Sequence, residues 1–201
     1  MMHATSRRGQ QMAIEAIAAA VAAYPRADHR HRIEHICGDD WPEGLERMRR
    51  LGIIPVPTPY SSLAWYGDSW LDSARPGDRA VIYRTLLDQG FMPPGNSDVM
   101  GTETEAFNPW WSIWCAVERK TRSGRRICPE EGISVMEGIL LYTRYAAYAG
   151  FEETIKGSLE QGKLADLIVV DRDPMQTAGD EIQDIQVVMT VIDGEIKFEQ
   201  A

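Results

Sequence analysis

The chain has 201 residues, 44% of them hydrophobic, and its 21 Lys and Arg against 30 Asp and Glu leave a formal net charge of -9. That is enough apolar material for a real core in one large or two small domains, and an acidic balance with scattered basic residues excludes nucleic acid and anionic membrane as partners. Three cysteines, Cys37, Cys115 and Cys128, are odd in number and lack Cys-x-x-Cys spacing, which argues against a disulfide framework or cysteine zinc site and for a reducing, cytoplasmic setting.

Met1 to Thr5 lacks the charged-then-apolar layout of a signal peptide, and the alanine-rich run that follows is interrupted by Glu15, so a soluble protein is expected. His3 stands just ahead of Thr5-Ser6, which can cap a helix through Ile14, Ile17, Val21 and Tyr24, ended by Pro25. Next comes Arg30-His31-Arg32-Ile33-Glu34-His35-Ile36-Cys37. Read as a strand, it puts His31, Ile33 and His35 on one face and Arg32 and Glu34 on the other. A histidine at the carboxyl end of a strand is where a barrel or open α/β sheet presents catalytic groups. The same run also accommodates a structural histidine beside an Arg32–Glu34 ion pair.

Asp39-Asp40-Trp41-Pro42 reads as a loop and helix start, Leu45, Met48 and Leu51 form an apolar stripe, and Gly52 is a left-handed cap. Ile53 to Val56 allows only a brief strand between prolines. From Pro57 to Pro76 the chain is rich in Pro, Ser, Gly and aromatics, including Trp65 and Tyr66. A long loop serving as a substrate-covering lid is one reading, and aromatic packing onto the body is the other. Val81 to Gln89 reads as a helix closed by Gly90, and Phe91-Met92 as the next strand, leading to Gly95-Asn96-Ser97-Asp98. That last run is ordinary turn chemistry. Its place after a helix-then-strand unit nevertheless puts Asp98 on the same rim as His35, and His3 joins them if it ends a strand. Two histidines and an aspartate are ligand types that zinc favours.

Asn108-Pro109 opens a Trp-rich helix with Trp110, Ile113, Trp114 and Val117 inward, and the basic run 119–126 is a solvated loop or a contact for an acidic group. Ser134 and Glu137 make a capping box for a helix through Leu141, Tyr145 and Tyr148. Leu167 to Val170 reads as a buried strand, and Val187 to Ile192 with Glu195 to Phe198 as a hairpin turning at Asp193-Gly194.

The run from Lys156-Gly157-Ser158 through Gln161-Gly162-Lys163-Leu164-Ala165-Asp166 to Asp171 resembles the C-terminal signature of the amidohydrolase superfamily. Arg30 to His35, Gly95 to Asp98 and Tyr142 to Tyr148 resemble blocks of its family 3 branch, which includes N-substituted formamide deformylase, so the likeness covers essentially the whole chain. It implies an α/β chain: the C-terminal part of a (β/α)8 metal-dependent hydrolase barrel over residues 1–152, with a small β-sandwich segment over 153–201. By position it makes His3 the fifth-strand metal histidine, His35 the sixth-strand one and Asp98 the eighth-strand aspartate. The implied cofactor is one or two divalent ions, zinc by expectation, which lower the pKa of a bound water and polarise the scissile carbonyl. Asp98 then takes the water's proton and hands it to the leaving nitrogen. Glu34 is placed to orient a ligand, and Trp65 and Tyr66 to meet substrate.

The family's first-strand His-x-His pair and fourth-strand bridging lysine have no counterpart here, and Ser6-Arg7 stands where Gly-Asp tends to follow the fifth-strand histidine. The expected function is therefore hydrolysis of carbon–nitrogen bonds in small-molecule amides or cyclic amides, incomplete in the isolated chain. Association with another copy or with a separate N-terminal half would complete the barrel. The alternative is an inactive fragment serving as a binding or assembly module.

Overall fold

The computed structural model describes residues 1–36, 41–73, 81–99 and 104–200. Cys37, the Asp39-Asp40 turn and the Ala74–Pro76 end of the aromatic segment lie outside that range. The first part is a run of strand–helix units: β1 (Met2–His3), α1 (Arg7–Ala23), β2 (Arg32–Glu34), α2 (Pro42–Leu51) and β3 (Ile54–Val56). The strands pair in parallel in the order β1-β2-β3, with His3 opposite Glu34 and Glu34 opposite Val56. Each helix begins and ends on chemistry legible in the sequence. Ser6 accepts from the Gly9 amide at 3.2 Å to cap α1, while Pro42 opens α2 and Gly52, at φ 66°, ends it. Ile14, Ile17, Ile33, Leu45, Met48, Leu86 and Phe91 close a core between this sheet and its helices.

The aromatic segment after β3 is not an open loop. It winds into a π-helical turn (Tyr60–Trp65) and α3 (Gly67–Leu71), with Leu63 and Ala64 buried in a second core. Burial of those two apolar side chains offsets part of the cost of ordering the segment. Helix α4 (Tyr83–Asp88) follows, but the expected strand at Phe91-Met92 is absent. Pro93 and Pro94 remove two backbone donors, and the Phe91 amide instead donates to Leu86 O at 3.0 Å.

Asn108 caps α5 (Pro109–Glu118) through the Trp110 amide. The Ser134–Glu137 capping box opens α6 (Val135–Tyr142), and α7 (Arg144–Ala149) continues after a break. The expectation of one helix fails at Thr143, whose hydroxyl donates back to Ile139 O at 2.8 Å, a bond that bends helices. The basic run is not simply solvated either. Lys120 pairs with Asp180, Arg122 with Glu105, Arg125 with Asp72 and Arg126 with Glu118.

The last three strands, β4 (Leu167–Val170), β5 (Val187–Ile192) and β6 (Glu195–Glu199), form an antiparallel sheet. The hairpin turns at Asp193 and Gly194, with φ of 51° and 78°. Strand β4 is not buried: Ile168 is 50% exposed, as the edge of a three-stranded sheet open on one side. No helix among the described residues is long and apolar enough to cross a membrane.

Arg30 fastens the first sheet to the end of α7. Its guanidinium stacks 3.9 Å from the Tyr148 ring centroid and 4.3 Å from that of Phe151, donates to Tyr148 O, and forks onto Glu153 at 2.6 and 2.8 Å. Those hydrogen bonds hold the Glu153 carboxyl down to about 2 from its ordinary 4.5. A carboxyl lowered on folding stabilises the fold fully above its unfolded pKa, and that contribution is lost as pH falls from about 4.5 through 2. Glu153→Gln is therefore expected to flatten the acid limb of stability in that window, modestly and in a salt-sensitive way because the Glu153 side chain is 33% exposed. Urea midpoints measured at several pH values check this; an acid limb as steep as that of the parent chain counts against it.

Candidate active site

The carboxyl ends of β1, β2 and β3 bring His3, His35 and Thr58 to one rim. His3 ends β1, His35 follows β2, and Thr58 lies two residues beyond β3. Strand alternation stops at Glu34: His35 has φ 62°, and its amide and that of Ile36 both donate to Val56 O, at 2.8 and 3.2 Å. This left-handed turn, rather than the pleat, sets the direction of the ring. The His3 and His35 ring centroids are 4.5 Å apart with planes at 58°.

Asp98 arrives from outside the sheet on the segment after α4. It too has a left-handed backbone, at φ 48°, and its Oδ2 lies 3.7 Å from His35 Nδ1. Its loop is held by Asn96. Asn96 Nδ2 donates to Pro57 O at 2.7 Å, Oδ1 accepts from Thr58 Oγ1 at 3.1 Å, and Asn96 O accepts from the Tyr142 hydroxyl at 3.0 Å. The Gly95 amide donates to Leu141 O at 2.8 Å, and His35 Nδ1 meets Thr58 Oγ1 at 3.0 Å. Burial pushes the Tyr142 hydroxyl pKa up, so it stays a protonated donor to this loop.

Of the remaining candidates, Glu34 and Trp65 have partners elsewhere. Glu34 accepts from Arg32 Nε at 3.1 Å, the ion pair that the alternative reading of the strand expects. Trp65 lies under the Arg122 guanidinium at 5.1 Å, and Tyr66 is exposed. Thr58, Asn96 and Tyr142 were not singled out by their residue types. Asn96 and Tyr142 do fall within the sequence blocks at 95–98 and 142–148, and Thr58 lies just past a strand, after Pro57.

Two imidazoles and a carboxylate have the donor chemistry a divalent ion takes. His35 fits further, because a ligating imidazole has its second nitrogen anchored, as Thr58 anchors Nδ1 here. Among the described residues, however, no group of three or more His, Cys, Asp or Glu side chains is disposed to hold an ion. The three side chains approach one another without closing around an ion.

A model of the amidohydrolase family matches residues 1–198. N-substituted formamide deformylase of Arthrobacter pascens is 32% identical over 184 residues, covering 90% of this chain and 33% of that protein. An uncharacterized metal-dependent hydrolase from Pyrococcus furiosus superposes with a TM-score of 0.65 at 25% identity, over 87% of this chain and 33% of that one. An amidohydrolase from Thermotoga maritima MSB8 shares the fold at a TM-score of 0.68 and 19% identity, over 99% of this chain and 43% of that one. The chain spans about a third of the length of the curated relatives it matches.

Gly95 is where the loop carrying Asp98 crosses Tyr142 most closely: a Cβ there would lie 2.5 Å from the ring. Gly95→Ala is therefore expected to cost about 1–3 kcal/mol by overpacking and to displace the Tyr142 hydroxyl from Asn96 O. Urea unfolding checks the first; stability equal to that of the parent chain would mean the ring gives way freely.

Proposed function

The chain belongs to the amidohydrolase family, and from that membership we propose that it is the C-terminal portion of a metal-dependent hydrolase of carbon–nitrogen bonds in small amides or cyclic amides. The observation that carries the reading is the approach of His3, His35 and Asp98 from three separate segments, with 4.5 Å between the histidine rings and 3.7 Å between His35 and the carboxylate. In this reading residues 1–152 are part of a (β/α)8 barrel and 153–201 a β-sandwich segment. The rest of such a barrel comes from outside these residues, whether from the same polypeptide, a separate N-terminal half or another copy.

His3 and His35, with Asp98, are the residues that would hold one or two divalent ions, zinc by family expectation. Such an ion supplies an electrophile for the scissile carbonyl and acidifies water. Asp98 does the proton work. Its carboxylate is 28% exposed and open to water, so it takes a proton from the attacking water at a carboxylate oxygen and returns it to the departing nitrogen. Glu34 supports the strand end opposite His3. Trp65 and Tyr66, exposed beyond β3, offer aromatic surface to substrate.

A second reading, an inactive fragment serving in assembly, is favoured by a different observation. A cleft of about 840 Å³ runs between α5, α6 and the antiparallel sheet, lined by Trp110, Ile139, Ile168 and Phe198. Elemental analysis of the protein with its barrel complete, after exposure to zinc, separates the two. The hydrolase reading expects near-stoichiometric metal, lost in His35→Ala and Asp98→Ala, and a drop of roughly 100-fold or more in amide hydrolysis for Asp98→Asn once the barrel is complete. No bound metal, with the variants folded like the parent, removes the hydrolase reading and leaves assembly, read by sedimentation.

A further inference from the structure

We infer that Thr58 and Asn96 are positioning residues that lock the neutral ring of His35 in the tautomer with hydrogen on Nδ1, leaving Nε2 as the free acceptor. The inference goes beyond the proposed function, resting on it only for the use to which Nε2 is put. It follows from the direction of three hydrogen bonds in series.

A peptide carbonyl can only accept, so the Asn96 atom 2.7 Å from Pro57 O is the amide nitrogen. The other amide atom, 3.1 Å from Thr58 Oγ1, is then oxygen and also only accepts. The single hydroxyl proton of Thr58 is thereby committed to Asn96. His35 Nδ1, 3.0 Å from the same hydroxyl oxygen, must supply the hydrogen between them. Reversing that last bond would set the Thr58 and Asn96 oxygens lone pair to lone pair. Thr58 is 1% exposed, so no solvent stands by to relieve such a clash. The Asp98 carboxylate, 3.7 Å from Nδ1, favours hydrogen on that nitrogen as well.

The chain carries its own control. His29 Nε2 lies 2.6 Å from Leu51 O, and its Nδ1 accepts from the His31 amide at 3.0 Å. The same logic gives His29 the opposite tautomer, with hydrogen on Nε2. One run of seven residues therefore holds two histidines whose neutral forms are set in opposite senses by their neighbours.

Long-range nitrogen–proton NMR correlation of the full chain, at mildly alkaline pH where a histidine ring is neutral, reads the tautomers directly. The expected spectrum shows His35 with a protonated Nδ1 and a bare Nε2, and His29 the reverse. Thr58→Val and Asn96→Ala are each expected to move His35 to a mixture of tautomers while His29 stays as it was, and Thr58→Ser to restore the parent pattern. A parent ring protonated on Nε2 overturns the inference without any variant, and so does a His35 pattern unchanged in folded Thr58→Val and Asn96→Ala. Absence of metal binding with His35 still protonated on Nδ1 supports the relay while removing the hydrolase reading, so the two fail separately.

Discussion

The side-chain amide of Asn96 is the contact on which the rim of this structure depends. Through Nδ2 it closes the loop after β3, through Oδ1 it takes up the Thr58 hydroxyl, and its own carbonyl receives Tyr142 from α6. Three stretches distant in the chain thus meet on one residue, each through a hydrogen bond in which donor and acceptor are unambiguous. Buried or half-buried polar groups are costly when left unpaired, so this network admits few alternatives. His35 is tied to it through Thr58, and Asp98 lies two residues beyond Asn96, 3.7 Å from His35.

Backbone strain is found at this rim as well as elsewhere in the chain. His35 and Asp98, like Arg30 at the other end of β2, are non-glycine residues in left-handed conformations, each costing on the order of 1 kcal/mol. Such conformations persist where surrounding contacts over-determine them. At His35 the over-determination is visible: two consecutive amides share Val56 O while the ring is tied to Thr58. At Arg30 it comes from the fork onto Glu153 between two aromatic rings. The strand between these two turns is three residues long, so fixing both ends fixes its register against β1 and β3.

The aromatic segment beyond the rim is bound to the body through charge as well as apolar burial. Asp68 accepts from the Thr121 and Ser123 hydroxyls at 2.8 and 2.6 Å, which hold its carboxyl below the usual range, and Arg122 stacks on Trp65. In the same run Arg119 is wholly buried and donates to the carbonyls of Val81, Ile127 and Cys128. A buried guanidinium with its donors spent on carbonyls is a brace rather than a ligand-binding cation. The basic run at 119–126 thus owes its place to the fold.

What the sequence by itself determined was local, and the family likeness. Helix caps at Ser6, Asn108 and Ser134, the left-handed stop at Gly52 and the Asp193-Gly194 turn depend on interactions a few residues apart, which residue type and spacing specify. The family assignment was legible for a related reason, since whole blocks of sequence carried it. Tertiary structure decided the rest. It wound the aromatic segment into short helices with Leu63 and Ala64 in a core. Above all it turned His35 off its strand and set Thr58, Asn96 and Tyr142 around it. That arrangement of the rim depends on contacts between residues 23 to 46 positions apart, and no periodicity or propensity within one segment records which distant hydroxyl or amide will be waiting there.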